Sequence, residues 1–113
     1  MTEDIHNAVA RYRQGAIATG DVSNPKKANK GAKQLHACYR ALRASEEGHN
    51  ALIGLMEDPE PSVRCWAAAH SLQWRPDVAR RVLEALRDSQ GPFSFDAEMT
   101  LQEYDKGRLT FDY

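Results

Sequence analysis

The residue in this chain best placed to do chemistry is His70, which sits at four-residue steps between Trp66 and Trp74. On a helix those steps bring the imidazole and both indoles to one face. Burial there would lower the histidine pKa, and an aromatic wall could shape a pocket. Nothing nearby in sequence pairs with it as nucleophile or orienting acid. The chain also lacks a His-Glu-x-x-His run, a glycine-rich phosphate loop, a Gly-x-Ser-x-Gly elbow and clustered Cys/His ligands. The expectation is therefore no catalytic residue, no metal and no cofactor, and not an enzyme. His70 is better read as a core histidine bonded to a backbone or carboxylate group, with the tryptophans as packing residues. His70 and Trp74 stay as binding candidates beside that plainer account.

A run of bases is the less ordinary feature. Lys26, Lys27, Lys30, Lys33, Arg40 and Arg43 fall between Val22 and Ser45 without one acid. At helical spacing Lys26, Lys30, Lys33 and Arg40 gather within about 80° of surface, opposite Leu35, Cys38, Tyr39 and Leu42. Acids cluster elsewhere, at Glu46, Glu47, Glu57, Asp58 and Glu60 and again at Asp96, Glu98, Glu103 and Asp105. The molecule is predicted to be electrically polar, and the four cations are the leading binding candidates, with an acidic protein surface as the favoured partner. A solvated helix face needing no partner is the alternative. Arg64 is predicted to pair with an acid such as Asp58, and Asn29 to make an interior hydrogen bond.

These side chains need helices to hold them. Ile5, Ala8, Val9, Tyr12, Ala16 and Ile17 predict a helix over about 3–19, locally weakened by Gly15 and stopped by Gly20. Asn24-Pro25 opens a second helix running to about Ala44, and Ser45 caps a short third. In Asp58-Pro59-Glu60-Pro61 the acids can accept from the free N–H groups of a helix start. From Val63 the fourth helix has no wet face of ordinary width, so it is predicted to be contacted from two sides. Pro76 starts a fifth helix that Gly91 ends, and Ser94 caps a sixth that Gly107 stops. The turns at Asn24, Asp58 and Gly91 are 34 and 33 residues apart, a self-similarity that predicts stacked helix pairs. Leu109-Thr110-Phe111-Asp112-Tyr113 alternates apolar and polar, which suits an extended segment docking on the last helix or a frayed end.

The stretch Asp58-Pro59, Val63-Arg64, Ala67-Ala68 and Leu72 resembles the second helix of a HEAT-like repeat, which opens Asp-Pro-x-x-x-Val-Arg and continues with paired alanines and a leucine. A wider resemblance rests on Ala28-Asn29, on Trp66-Ala67-Ala68-Ala69-His70, and on Ala97-Glu98-Met99-Thr100-Leu101 closing on Lys106-Gly107. It is to a small bacterial family known as a domain of unknown function, number two thousand and nineteen. With the turn spacing, the resemblance implies an all-α fold of three stacked antiparallel helix pairs, a short HEAT-like α-α superhelix. The pairs would be about 3–44, 46–74 and 76–106, with a tail at 107–113, in a single domain spanning 1–113. Neither resemblance brings a catalytic residue.

With 113 residues, 27% charged and 42% hydrophobic, the chain can bury one core with little surplus for a deep cavity. Its net charge of −1 exerts no whole-molecule pull on nucleic acid or membrane. Cys38 and Cys65 are predicted to be reduced thiols, and the acids near Met1 and the brief apolar run Ala51 to Met56 speak against a signal peptide or a membrane span. The chain is expected to be cytoplasmic. The leading expectation is a non-enzymatic protein-interaction module, which fold analogy extends to an inhibitor or immunity-type partner of a bacterial protein. The alternative is a HEAT-like nucleic-acid binder using the same basic face.

Overall fold

Proline and short polar side chains set where most helices begin, and the computed structural model, which describes residues 3–111, places six of them. They are α1 (Glu3–Thr19), α2 (Pro25–Leu42), α3 (Glu46–Leu55), α4 (Pro61–Ser71), α5 (Pro76–Asp88) and α6 (Ser94–Asp105). Among the described residues there is no strand. The chain divides into two compact units, Met1–Gly54 and Leu55–Tyr113.

In the first unit Asn24 caps α2, its side chain accepting from Lys27 N at 3.1 Å, and Pro25 takes the first helical position. Ser45 Oγ likewise accepts from Gly48 N at 3.0 Å and caps α3. α1 and α2 form an antiparallel hairpin: Gly15 lies against Gly31, while further back along α1 the Arg11 carbonyl accepts from Gln34 Nε2 at 2.9 Å. The glycines are a contact. A Cβ on Gly15 would stand 2.6 Å from the Gly31 carbonyl oxygen, and one on Gly31 would stand 2.5 Å from the Ala18 Cβ. The predicted cost of Gly15 to helix propensity is thus set against close helix approach. Tyr12, Ala16, Leu35, Tyr39, Leu42 and Leu52 are buried, as the periodicity requires.

In the second unit α4 packs on α5 and α6. Eight of its eleven residues are buried, Val63, Ala67, Ala68, His70 and Ser71 completely, which matches a helix contacted from two sides. α5 and α6 run antiparallel, with Arg80 bonded to Asp105 at one end and Ser94 Oγ donating to the Arg87 carbonyl at the other.

Several local expectations are corrected. α2 stops at Leu42 and α4 at Ser71, so Trp74 stands in the turn that leads to Pro76 and not on the helix. Asp58 Oδ1 accepts from Glu60 N at 2.9 Å, closing a turn before the helix, and Glu60 at the cap position makes no side-chain cap bond. Arg64 donates to the carbonyl oxygens of Asp58 and Pro59, at 2.9 and 3.0 Å, where a carboxylate partner was predicted. Asn29 is exposed, because its position on α2 faces away from the packed side. α5 ends at Asp88, ahead of Gly91, and the left-handed residue there is Gln90, at φ 56°. Ser94 is the first residue of α6, its hydroxyl being committed to Arg87 instead of the helix N-terminus.

Candidate functional site

The exposed side of α2 carries the cations. Lys26, Lys30, Lys33 and Arg40 are all exposed, and none makes an ion pair with another described residue. Four other cations are neutralised locally: Lys27 by Asp21 at 3.2 Å, Arg80 by Asp105 at 2.7 Å, Arg87 by Asp88 at 2.9 Å and Arg108 by Glu103 at 3.1 Å. Arg43 lies over the Tyr39 ring, 5.3 Å from its centroid. From Lys26 to Arg40 the stripe extends about 21 Å at 1.5 Å per residue. Exposed alanines, Ala37, Ala41 and Ala44, share or border that face and leave its distal half smooth. Beside it His36 is held below its ordinary pKa, by burial first and by Arg40 second, so the charge of the face belongs to lysine and arginine.

A shallow recess of about 210 Å³ separates α1 from α2, lined in part by Asp4, Asn7, Arg11, Ala37 and Cys38. Burial raises the Cys38 thiol, with nearby Arg11 working against it, so this cysteine is not poised as a nucleophile. Cys65 is still less so. Burial, followed by the charge of Asp96, pushes it up to about 12. Both thiols are buried and unpaired.

His70 is fully buried in the second unit. Its ring lies 5.8 Å from that of half-buried Trp66, tilted by 35°, and 4.7 Å from Phe111 in an edge-on arrangement. The expected neighbour Trp74 has left the helix. The aromatic ring that sequence spacing could not supply comes from the tail, through long-range contact. Leu109, Thr110 and Phe111, with Leu72, Gln73 and Tyr104, line an open cleft of about 330 Å³. Its polar groups include the Gln73 amide, which donates to the His70 carbonyl at 3.0 Å, and the Tyr104 phenol. The alternation of residues 109–113 suited docking on the last helix or a frayed end, and Phe111 instead meets His70 of α4, while Asp112 and Tyr113 lie outside the described residues. The six predicted binding residues thus fall into two groups: an exposed basic face in the first unit, and buried His70 with half-buried Trp74 in the second.

Among the described residues no group of three or more His, Cys, Asp or Glu side chains could hold a metal ion. No described helix is long and apolar enough to cross a membrane.

No curated protein matches the chain. A solved structure does, the crystal structure of the protein RPA1889 from Rhodopseudomonas palustris CGA009, at 28% identity and a TM-score of 0.85, over 97% of this chain and 93% of that one. A domain of unknown function, DUF2019, matches residues 6–105, from α1 to the end of α6. That span takes in both the basic face of α2 and the buried histidine of α4, and the chain belongs to the DUF2019 family.

Proposed function

We propose that this protein is a non-enzymatic, cytoplasmic interaction module of HEAT-like type, and that the basic face of α2 engages an acidic protein. The observation that carries the reading is that Lys26, Lys30, Lys33 and Arg40 are exposed on one helix face and unpaired among the described residues, while Lys27, Arg80, Arg87 and Arg108 are each tied to a local acid. Leaving four like charges side by side stabilises nothing within the chain, since like charges at helical neighbour positions repel. An acidic surface would relieve that repulsion. The regular spacing of the proline turns at Asn24, Asp58 and Gly91 supports a stack of three helix pairs, and fold analogy with bacterial inhibitor or immunity proteins supports a regulated bacterial protein as the partner.

Poly-L-glutamate serves as a partner probe, with poly-L-lysine as the control. At low ionic strength the protein should bind polyglutamate through α2, whereas any binding of polylysine reports on the acids of the rest of the chain. Lys30→Glu with Arg40→Glu should weaken that binding by about tenfold or more and flatten its salt dependence, with helicity unchanged. Equal binding by the doubly reversed variant would make the stripe a solubilising face and sink the reading.

A further inference from the structure

The acidic partner that fits this face is present in the chain itself. The first unit, Met1–Gly54, carries eight Lys and Arg against five Asp and Glu, a net +3, and the second, Leu55–Tyr113, carries seven against eleven, a net −4. The second unit also displays an amphipathic surface that faces solvent. On α6 Phe95 is 68% exposed and its next-turn neighbour Met99 is 38% exposed. Asp96 and Glu98, both exposed, flank that pair on opposite sides of the helix. Lys106 is exposed too, and Asp105 is taken by Arg80, so the acids of α6 without an ion pair among the described residues, Asp96 and Glu98, lie toward the start of the helix. The described copy leaves both surfaces uncovered, the stripe on α2 and the apolar pair on α6.

We infer that a second copy of this protein is an occupant of the basic face, with α6 of one copy lying along α2 of the other. Phe95 and Met99 rest on the smooth part of α2 at Ala37 and Ala41, while Asp96 and Glu98 meet Lys30, Lys33 and Arg40. This rests on the reading of the stripe as an interaction surface and specifies its partner. Three things favour it. The charges of the two units are opposite and nearly equal, so encounter between unlike units is attractive. The whole-molecule charge is only −1, so copies do not repel at long range. Finally, each copy brings both halves of the contact, so self-association needs no other component.

Sedimentation velocity on the full chain tests it. The wild type should sediment above monomer mass at low ionic strength and revert to monomer in about 0.5 M salt, where charges are screened within a few ångström. Lys30→Glu/Arg40→Glu alone should be monomeric, and so should Asp96→Lys/Glu98→Lys alone. Mixed in equal amounts the two variants should associate again, because one α2 to α6 contact then keeps its natural charges and in the other the reversed positions 30 and 40 face the reversed positions 96 and 98. Phe95→Ala should weaken wild-type association by about tenfold, consistent with a large aromatic anchor. A wild type that stays monomeric at low salt overturns the inference, as does a mixture that fails to reassociate while both variants keep their helicity. If polyglutamate binding survives in either case, the basic face remains an interaction surface and only the second copy is lost as its occupant.

Discussion

Buried polar atoms are where single residues are most informative here. Ser71 Oγ at the end of α4 is buried without a hydrogen-bond partner among the described residues, beside a histidine with no exposed surface. A buried hydroxyl with nothing to bond to costs about 1–3 kcal/mol, and alanine removes the oxygen while keeping the Cβ. Ser71→Ala should therefore raise the stability by about 1 kcal/mol, read as an upward shift of several degrees in the thermal midpoint. A fall in the midpoint would mean that the hydroxyl has a partner. Cys65 makes a second case. Its thiol is raised from 9.0 to about 12, chiefly by burial, so between those values the unfolded chain has lost a proton that the folded one keeps. Stability conferred by the neutral buried thiol is therefore present below pH 9 and is lost as pH rises toward 12. Alkaline unfolding should begin earlier in the wild type than in Cys65→Ala once their stabilities at neutral pH are set equal. The thiol should also resist alkylation at pH 8 until the protein unfolds.

At the level of helices, the hairpin of α1 and α2 depends on a glycine crossing. Gly31→Ala would set its Cβ 2.5 Å from the Ala18 Cβ, closer than real carbon contacts allow, so one helix must move. The gain of about 1 kcal/mol in helix propensity from Gly to Ala is outweighed by overpacking that costs about 1–3 kcal/mol. Gly31→Ala should lower the thermal midpoint, whereas Gly54→Ala, where an added Cβ meets nothing within 4 Å, should leave it level or raise it. This contrast marks what the sequence could convey. Helix starts at Pro25 and Pro76 were legible, and that of α4 to within Pro59 or Pro61, because proline and its preceding residue act on the local backbone, and the buried faces were legible because burial repeats with the helix. The pairing of Gly15 with Gly31, the contact of Phe111 with His70, and the turn from Asp88 to Ser94 through Gln90 depend on residues that meet only after folding. Periodicity along one helix holds no trace of them. The end of α4 at Ser71 is of the same kind: the four-residue steps continue to Trp74 in sequence after the helix has ended.

For the molecule as a whole, charge is separated and not scarce, and this is why we propose a protein and not a nucleic acid for the basic face. α2 holds five cations and no acid, while the rest of the chain holds ten cations against sixteen acids. A duplex of about 20 base pairs is about 68 Å long, three times the reach of the stripe, and carries a phosphate charge every 1.7 Å. Most of that length would overhang α2 into the field of a molecule whose remaining charge is net negative. Four phosphate contacts would give a slope of about −3 to −4 in log affinity against log salt, with nothing further along the duplex to add to it. An acidic protein helix can instead match the length of the stripe and end with it. Titrating a mixed-sequence duplex at physiological salt should thus show no binding tighter than about 10⁻⁴ M, the weak end of non-specific association. Micromolar affinity with that slope, abolished by Lys30→Glu/Arg40→Glu, would turn the assignment of the basic face from protein to nucleic acid.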